Sequence, residues 1–289
     1  MEIFFEGLVG LLAGLLGGLM GVGGSLIVIP ALVIYAGYFG EGYGGSSQHL
    51  FQAAAMITNV FVAGPSTLAH YRARAILPEV VRYLVPASLL GIVLGVYLSN
   101  TSSFARENGV YLGMLLAAFL VYVVVYNSYR LLSPLNLEAD FHVARLPGAW
   151  QIVAVGLPTG LVAGLLGIGG GAISVPMQQI LLRLPLRRAI ANSAVTIICV
   201  SFFGALYKNA TLGQHGVAWG DSLRLAAALI PTAMVGSYIG ARLVHALPRK
   251  ALRGIFVAFM LSIALLTLHN ALAALRERAE LSFVDVCCH

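Results

Sequence analysis

Long apolar runs recur along the whole chain, at roughly 7–36, 50–70, 80–100, 109–132, 150–182, 189–207, 222–246 and 252–274. Polar residues gather in the short stretches between them. About 20 apolar residues in helical form cross the hydrocarbon core of a bilayer, so the pattern predicts membrane-spanning helices from end to end. The linkers leave no room for a separate soluble domain. The first run is different in kind: Gly7–Ala36 is longer than one crossing requires, and its middle reads Gly21-Val22-Gly23-Gly24. Each glycine inside a helix costs about 1 kcal/mol against alanine. Broken backbone at membrane depth is tolerated only where protein or a watery cavity surrounds it.

The pattern then repeats. Gly21-Val22-Gly23-Gly24-Ser25 leading to Pro30 returns as Gly167-Ile168-Gly169-Gly170-Gly171 leading to Pro176, at an offset of 146. The same offset pairs Gly10, Gly14 and Gly18 with Gly156, Gly160 and Gly164. Pro86, Gly91 and Gly95 match Pro231, Gly236 and Gly240 at an offset of 145, and Ala69–Arg72 matches Ala205–Lys208 at 136. The shorter last offset fits a longer Gly-rich loop, Gly37–Gln48, in the first half. Repeats of this kind are common in transporter folds. The implied division is a first membrane repeat over 1–132, a linker over 133–148, a second repeat over 149–275 and a tail over 276–289.

Composition agrees: 59% of the 289 residues are hydrophobic and 10% charged, against about a quarter charged in soluble domains. The net charge of +6 does not indicate nucleic acid, because Lys and Arg sit at span ends with no basic stripe interleaved with aromatics. Those cations choose a topology instead. Eight full crossings divide them 9 against 8. If each glycine-broken run is a hairpin that enters and leaves on one side, each half crosses three times, the second half is inverted, and the division becomes 12 against 5. The positive-inside rule favours the second arrangement and puts both termini outside. The fold expected is therefore an all-α integral membrane protein of the cell (plasma or inner) membrane. It has two inverted repeats, each a re-entrant helical hairpin plus three transmembrane helices, with eight full crossings as the alternative. Met1-Glu2 with Glu6 close behind is unlike a signal peptide, so the first run is expected to be retained.

In this arrangement a half-helix starts just after each glycine cluster, with Ser25 able to cap the first. Its free N–H groups carry a partial positive charge of about half a unit and form an anion site. Glycine lets an oxyanion approach the backbone closely. None of the eleven acids falls in the middle of a run, whereas a cation pathway usually carries an intramembrane carboxylate. The candidate binding residues are Gly21, Gly23, Gly24, Ser25, Gln52, Asn59, Gly167, Gly169, Gly170, Gly171, Asn192 and Ser193. The amides of Gln52, Asn59 and Asn192 stand out because an amide in an apolar setting needs a partner. Candidate gate or mouth residues are His70, Tyr71, Arg72, Gln178, Gln179, Tyr207 and Lys208. Interfacial anchoring is the competing role for His70, Tyr71, Arg72, Tyr207 and Lys208, and hydrogen-bonded helix packing for the Ser and Thr positions.

Cys199 lies inside an apolar run and is read as packing. Cys287, Cys288 and His289 are too close together to make a closed metal site, so no metal or cofactor is expected. No P-loop, HExxH, CxxC or GxSxG pattern is present, and an enzyme is not indicated.

The doubled Gly-Leu-x-x-Gly-Leu-x-Gly-x-Gly-Gly-Gly-x-x-x-x-Pro pattern, at Gly14–Pro30 and Gly160–Pro176, resembles the TauE/SafE sulfite exporter family. The likeness extends over nearly the whole chain through the doubled Pro-x4-Gly-x3-Gly. Two departures make the halves asymmetric: Ser25 stands where a third glycine is usual, and Ala55-Met56-Ile57 stands where Thr-Ser often opens the second span, against Asn192-Ser193 in the second half. The resemblance implies transport of small sulfur-containing anions such as sulfite or a sulfonate (sulfoacetate). A passive anion channel with the same site and a membrane assembly protein are the alternatives. The partners implied are a small anion and lipid. A homodimer stays open, since the sequence does not set the oligomeric state.

Overall fold

The computed structural model describes residues 2–39, 47–100, 109–132, 147–215, 218–248, 250–266, 268 and 269. Among the described residues the regular structure is entirely helical. In chain order the elements are α1 (Glu2–Met20), α2 (Ser25–Phe39), α3 (Ser47–Arg72), α4 (Pro78–Asn100), α5 (Gly109–Leu132), α6 (Ala149–Leu166), α7 (Gly171–Ile180) and α8 (Leu186–Thr211). A 3-10 turn (Leu212–His215), α9 (Trp219–Ala246) and α10 (250–266) complete the list. The linker residues 133–146, the Cys-Cys-His tail, and Arg106, Arg145, Arg249, Arg276 and Arg278 of the charge division lie outside the described residues.

Four stretches, Pro78–Leu98, Ala149–Leu166, Leu186–Thr211 and Trp219–Ala246, are long and apolar enough to cross a membrane. Helix α8 is the most enclosed, with 67% of its apolar window buried against 39–44% for the other three. Leu90, Val93 and Leu94 on α4, and Val235 and Ile239 on α9, face outward, as side chains in contact with lipid do. Helix α3 is 26 residues long yet is not one of the four. Its polar residues Gln52, Thr58, Asn59, Ser66 and His70 lower its hydropathy, and all of them are buried.

Two compact units are present. The first takes Met1–Leu98 and Glu138–Leu247, and so draws on both sequence halves; the second takes Ser99–Leu137 and Pro248–His289. The second unit contributes α5 and α10.

The matched glycines of the two halves do matched work, crosswise. Carbons added at Gly10, Gly14 and Gly18 of α1 would strike the main chain of α9 at Leu229, Ala233 and Ser237, and carbons at Gly236 and Gly240 would strike Leu11 and Leu15 in return. In the same way Gly156, Gly160 and Gly164 of α6 lie on α4 at Leu84, Ser88 and Ile92, while Gly91 and Gly95 lie on α6 at Leu157 and Leu161. Residue numbers rise together in each pairing, so α1 runs parallel to α9 and α6 parallel to α4. Small residues let helix backbones approach this closely.

Each glycine-rich run is broken into two helices, α1 and α2 in the first half and α6 and α7 in the second. Val9 of α1 shares an apolar cluster with Leu32 of α2 and Leu50 of α3. Ile152 of α6 shares one with Leu182 and Leu184, just beyond α7, and with Val80 and Leu84 of α4. The start of α6 and the end of the α7 segment thus lie together.

The glycine stripes predict a sharp contrast. Gly160→Ala pushes a methyl into the main chain of Ser88 and is expected to cost about 1–3 kcal/mol of stability. A carbon added at Gly64, within α3, meets nothing within 4 Å, so Gly64→Ala is expected to gain up to about 1 kcal/mol. Thermal unfolding of the detergent-solubilised protein measures both. An unchanged midpoint for Gly160→Ala would mean that the α4–α6 approach is looser than described.

Candidate functional site

Both helix breaks are made by glycines in the left-handed region. Gly21 (φ +64°) and Gly23 (φ +83°) turn the chain between α1 and α2; Gly167 (+72°), Gly169 (+71°) and Gly170 (+78°) turn it between α6 and α7. Any other residue would be strained at these dihedrals. The first break closes α1 with Gly21 N–H on the Gly17 carbonyl, and the second closes α6 with Gly167 N–H on that of Ala163, each at 2.9 Å. These bonds correspond at the repeat offset.

The two tips meet. A carbon added at Gly171 would fall on the main chain of Val22, so one tip lies directly against the other. Ser193 donates to the Gly21 carbonyl at 2.7 Å, and Ser25 Oγ donates to the Ile168 carbonyl at 2.9 Å. Asn59, from the middle of α3, clamps the first tip: its Oδ1 accepts the Ser25 N–H and its Nδ2 donates to Ser25 Oγ, both at 2.9 Å. The same amide faces both breaks, because added carbons at Gly23 and Gly169 would each contact its side chain. Ser25 does not cap its own helix, contrary to the sequence expectation. Gly24 occupies the cap position, with its carbonyl receiving Ile27 and Val28 N–H, so Ser25 is already helical and its hydroxyl reaches across to the other half.

The tips are electrically alike but differ in how far they are satisfied. At the first, Asn59 occupies the Ser25 N–H. At the second, the first helical bonds come from Ile173 and Ser174 to the Gly170 carbonyl, and the N–H groups of Gly171 and Ala172 meet no acceptor among the described residues. Ser201 Oγ, also without a hydrogen-bond partner and fully buried, stands 3.0 Å from the carbon a side chain on Gly169 would add. Ser201 was legible as a polar residue in an apolar run, but nothing local marked it off from its neighbours. The buried polar residues of the described chain include no Asp or Glu. Such a place offers hydrogen-bond donors and partial positive charge with no buried carboxylate among the described residues.

Thus Gly21, Gly23, Gly24, Ser25, Asn59, Gly167, Gly169, Gly170, Gly171 and Ser193 are brought together. Gln52 adjoins them, its side chain lying over Gly167, and accepts a hydrogen bond from Lys208 at 2.9 Å. Asn192 is engaged elsewhere: its Oδ1 accepts Leu77 N–H at 2.9 Å and its Nδ2 donates to Gln178 at 3.1 Å. Gln178 also donates to Ser174, whereas the buried amide of Gln179 has no hydrogen-bond partner.

Of the mouth candidates, Tyr71 and Arg72 are exposed, with Arg72 donating to Tyr238 Oη at 3.3 Å. They border an open hollow of about 690 Å³ whose wall includes Arg74 and Arg82. His70 is fully buried and meets His245 of α9 through a 2.9 Å N···N contact. His245 was not singled out in the sequence, since 175 residues separate the two rings. Tyr207 is 40% exposed, while Lys208 next to it is 5% exposed. Cys199 is half-buried, and no group of three or more His, Cys, Asp or Glu side chains suited to a metal occurs among the described residues.

Residues 7–267 match the protein family described as Sulfite exporter TauE/SafE. Curated relatives include the probable membrane transporter protein MamO of Magnetospirillum gryphiswaldense, 30% identical over 91% of this chain and 44% of MamO. The probable membrane transporter protein YunE of Bacillus subtilis is 23% identical over 84% of this chain and 89% of its own. A probable membrane transporter protein of Haemophilus influenzae is 25% identical over 89% and 95%. The chain spans less than half the length of MamO. No solved structure matches.

The clamp makes a stability prediction. Asn59→Ala leaves the buried Ser25 N–H without its acceptor and is expected to destabilise the protein by about 1–3 kcal/mol. Ser201→Ala removes a buried hydroxyl that has no partner and is expected to leave stability unchanged or higher. Denaturation midpoints in one detergent compare the two; equal losses would contradict the network described.

Proposed function

The chain belongs to the sulfite exporter TauE/SafE family, and we propose that it is a membrane transporter of small sulfur-containing oxyanions, sulfite or sulfonates such as sulfoacetate, held where the two helix breaks meet. The observation that carries this reading is the tip-to-tip contact of the two breaks, Gly171 on Val22, with Ser25 and Ser193 reaching across. Two helix N-termini then point into one region, each carrying about half a positive charge. N–H groups at Gly171 and Ala172 and the Ser201 hydroxyl are donors suited to oxyanion lone pairs.

The membrane arrangement is part of the proposal. Each hairpin returns to the side from which it enters, which agrees with the shared clusters at Val9–Leu32 and Ile152–Leu182. The repeat-related helices α3 and α8 lie antiparallel, with Gln52 beside Lys208 and Met56 beside Gly204. An odd number of crossings per half gives that opposition, and so does the 12 against 5 division of Lys and Arg. Both termini then lie outside, and the hollow bordered by Arg72, Arg74 and Arg82 opens to the cytoplasm and gathers anions there.

Flux into proteoliposomes tests the reading, with sulfite, sulfoacetate, thiosulfate and sulfate as trial cargoes. The wild-type protein is expected to carry at least one of the sulfur anions with a rate that saturates and accelerates under counterflow; an unsaturating current would instead make the same site a channel. Asn59→Asp keeps an acceptor for the Ser25 N–H but sets a carboxylate between the tips. Like-charge juxtaposition costs several kcal/mol, so anion flux is expected to fall by about a hundredfold or more. Undiminished flux in this variant would remove the site.

A further inference from the structure

We infer that Lys208, with Gln52, forms a binding site for a small oxyanion at the outer flank of the second helix break. The inference rests on the transport reading above for its cargo, but the site itself is defined by the geometry. Lys208 lies in the last turn of α8 and is 5% exposed. Its ammonium donates to Gln52 Oε1 at 2.9 Å. An ammonium carries three donors, and the other two meet no acceptor among the described residues. No Asp or Glu is among the buried residues of the described chain to serve as counter-ion. A charge enclosed in this way is costly unless it is paired and hydrogen-bonded, so the place is built to receive a negative group from outside the chain.

The position connects this charge to the break. Gln52 Cγ lies 2.9 Å from the carbon a side chain on Gly167 would add, so the residue that holds the ammonium also covers the end of α6. From Gln52 to Asn59 is seven residues of α3, about 10 Å. An anion bound at Lys208 therefore waits about one helix turn or two from the meeting point of the tips. The repeat shows why this cation differs from its counterpart. Arg72 occupies the matched position in the first half, but it is exposed and donates to Tyr238, and water can solvate it. Of the pair, Lys208 is the enclosed one, with no buried Asp or Glu among the described residues to pair with it. An ammonium serves as a point charge with rotatable donors, which suits a compact pyramidal or tetrahedral oxyanion such as sulfite or sulfate better than a planar carboxylate.

The test is anion-induced stabilisation of the purified full-length protein, read as a thermal shift with sulfite, sulfate, thiosulfate and sulfoacetate at constant ionic strength. The wild type is expected to be stabilised by at least one of them in a saturable way. Lys208→Gln is expected to weaken the apparent Kd about tenfold or more, the scale of one lost hydrogen bond to a charged group, and Lys208→Arg to recover most of it. Gln52→Glu provides a second variant that keeps the lysine: it pairs the ammonium internally and is expected to abolish the anion effect while the protein stays folded. Wild-type affinity in both Lys208→Gln and Gln52→Glu, or no saturable shift in the wild type with any of the four anions, would overturn the site. Liposome flux separates the two ideas. Anion binding that depends on Lys208 without any flux would end the transport reading and leave the site standing; flux with binding indifferent to Lys208 would do the reverse.

Discussion

A helix that stops inside an apolar interior leaves its last carbonyls and the first N–H groups of the next helix without partners, and no water is at hand to supply them. This protein stops two helices that way. The structure answers the difficulty by setting the two breaks against each other, so that a carbonyl orphaned in each half is taken up by a serine of the other, while an amide of the first half serves an N–H of its own half. Ser193, on α8, takes the Gly21 carbonyl; Ser25, on α2, takes the Ile168 carbonyl; Asn59 serves the Ser25 N–H. Contact between the tips is possible only because no side chain stands at Gly171, where an added carbon would fall on Val22. The N–H groups of Gly171 and Ala172 at the second tip are left without an acceptor among the described residues.

Holding the tips in place falls to the glycine stripes. Helix α1 lies along α9, and α6 along α4, so the first helix of each broken run packs closely on a helix of the opposite half. The backbones approach closely along Gly10, Gly14 and Gly18 and along Gly156, Gly160 and Gly164. Helices α3 and α8 run between these pairs and carry the polar side chains: Gln52 and Lys208 at one end, Asn59 and Ser201 near the breaks, and His70 at the other end of α3, about 27 Å from Gln52.

Asymmetry between the halves is as informative as the repeat. The matched cations Arg72 and Lys208 end in opposite environments, one exposed and the other enclosed. At the first tip Ser25 replaces a glycine and, with Asn59, uses up a donor that remains unused at Gly171. Both differences leave the enclosed cation and the unused donor in the second half.

Local patterns in the sequence determined the helical class, the long apolar runs, the positions of both breaks and the in-register glycines. Each of these is set by residues within a turn or two of one another: a glycine needed at positive φ, or an apolar run of sufficient length. The absence of acids from the middle of the runs could be read in the same way. Tertiary structure alone decided which buried polar groups meet. That Asn59 serves Ser25, that Asn192 is occupied by Leu77 and Gln178, that His70 finds His245, and that Lys208 is enclosed beside Gln52 all depend on residues 14 to 175 positions apart along the chain. A buried polar group takes whatever partner packing delivers to it, from another helix of its own half for Asn59 and from the opposite half for His70 and Lys208, and no short-range pattern records which.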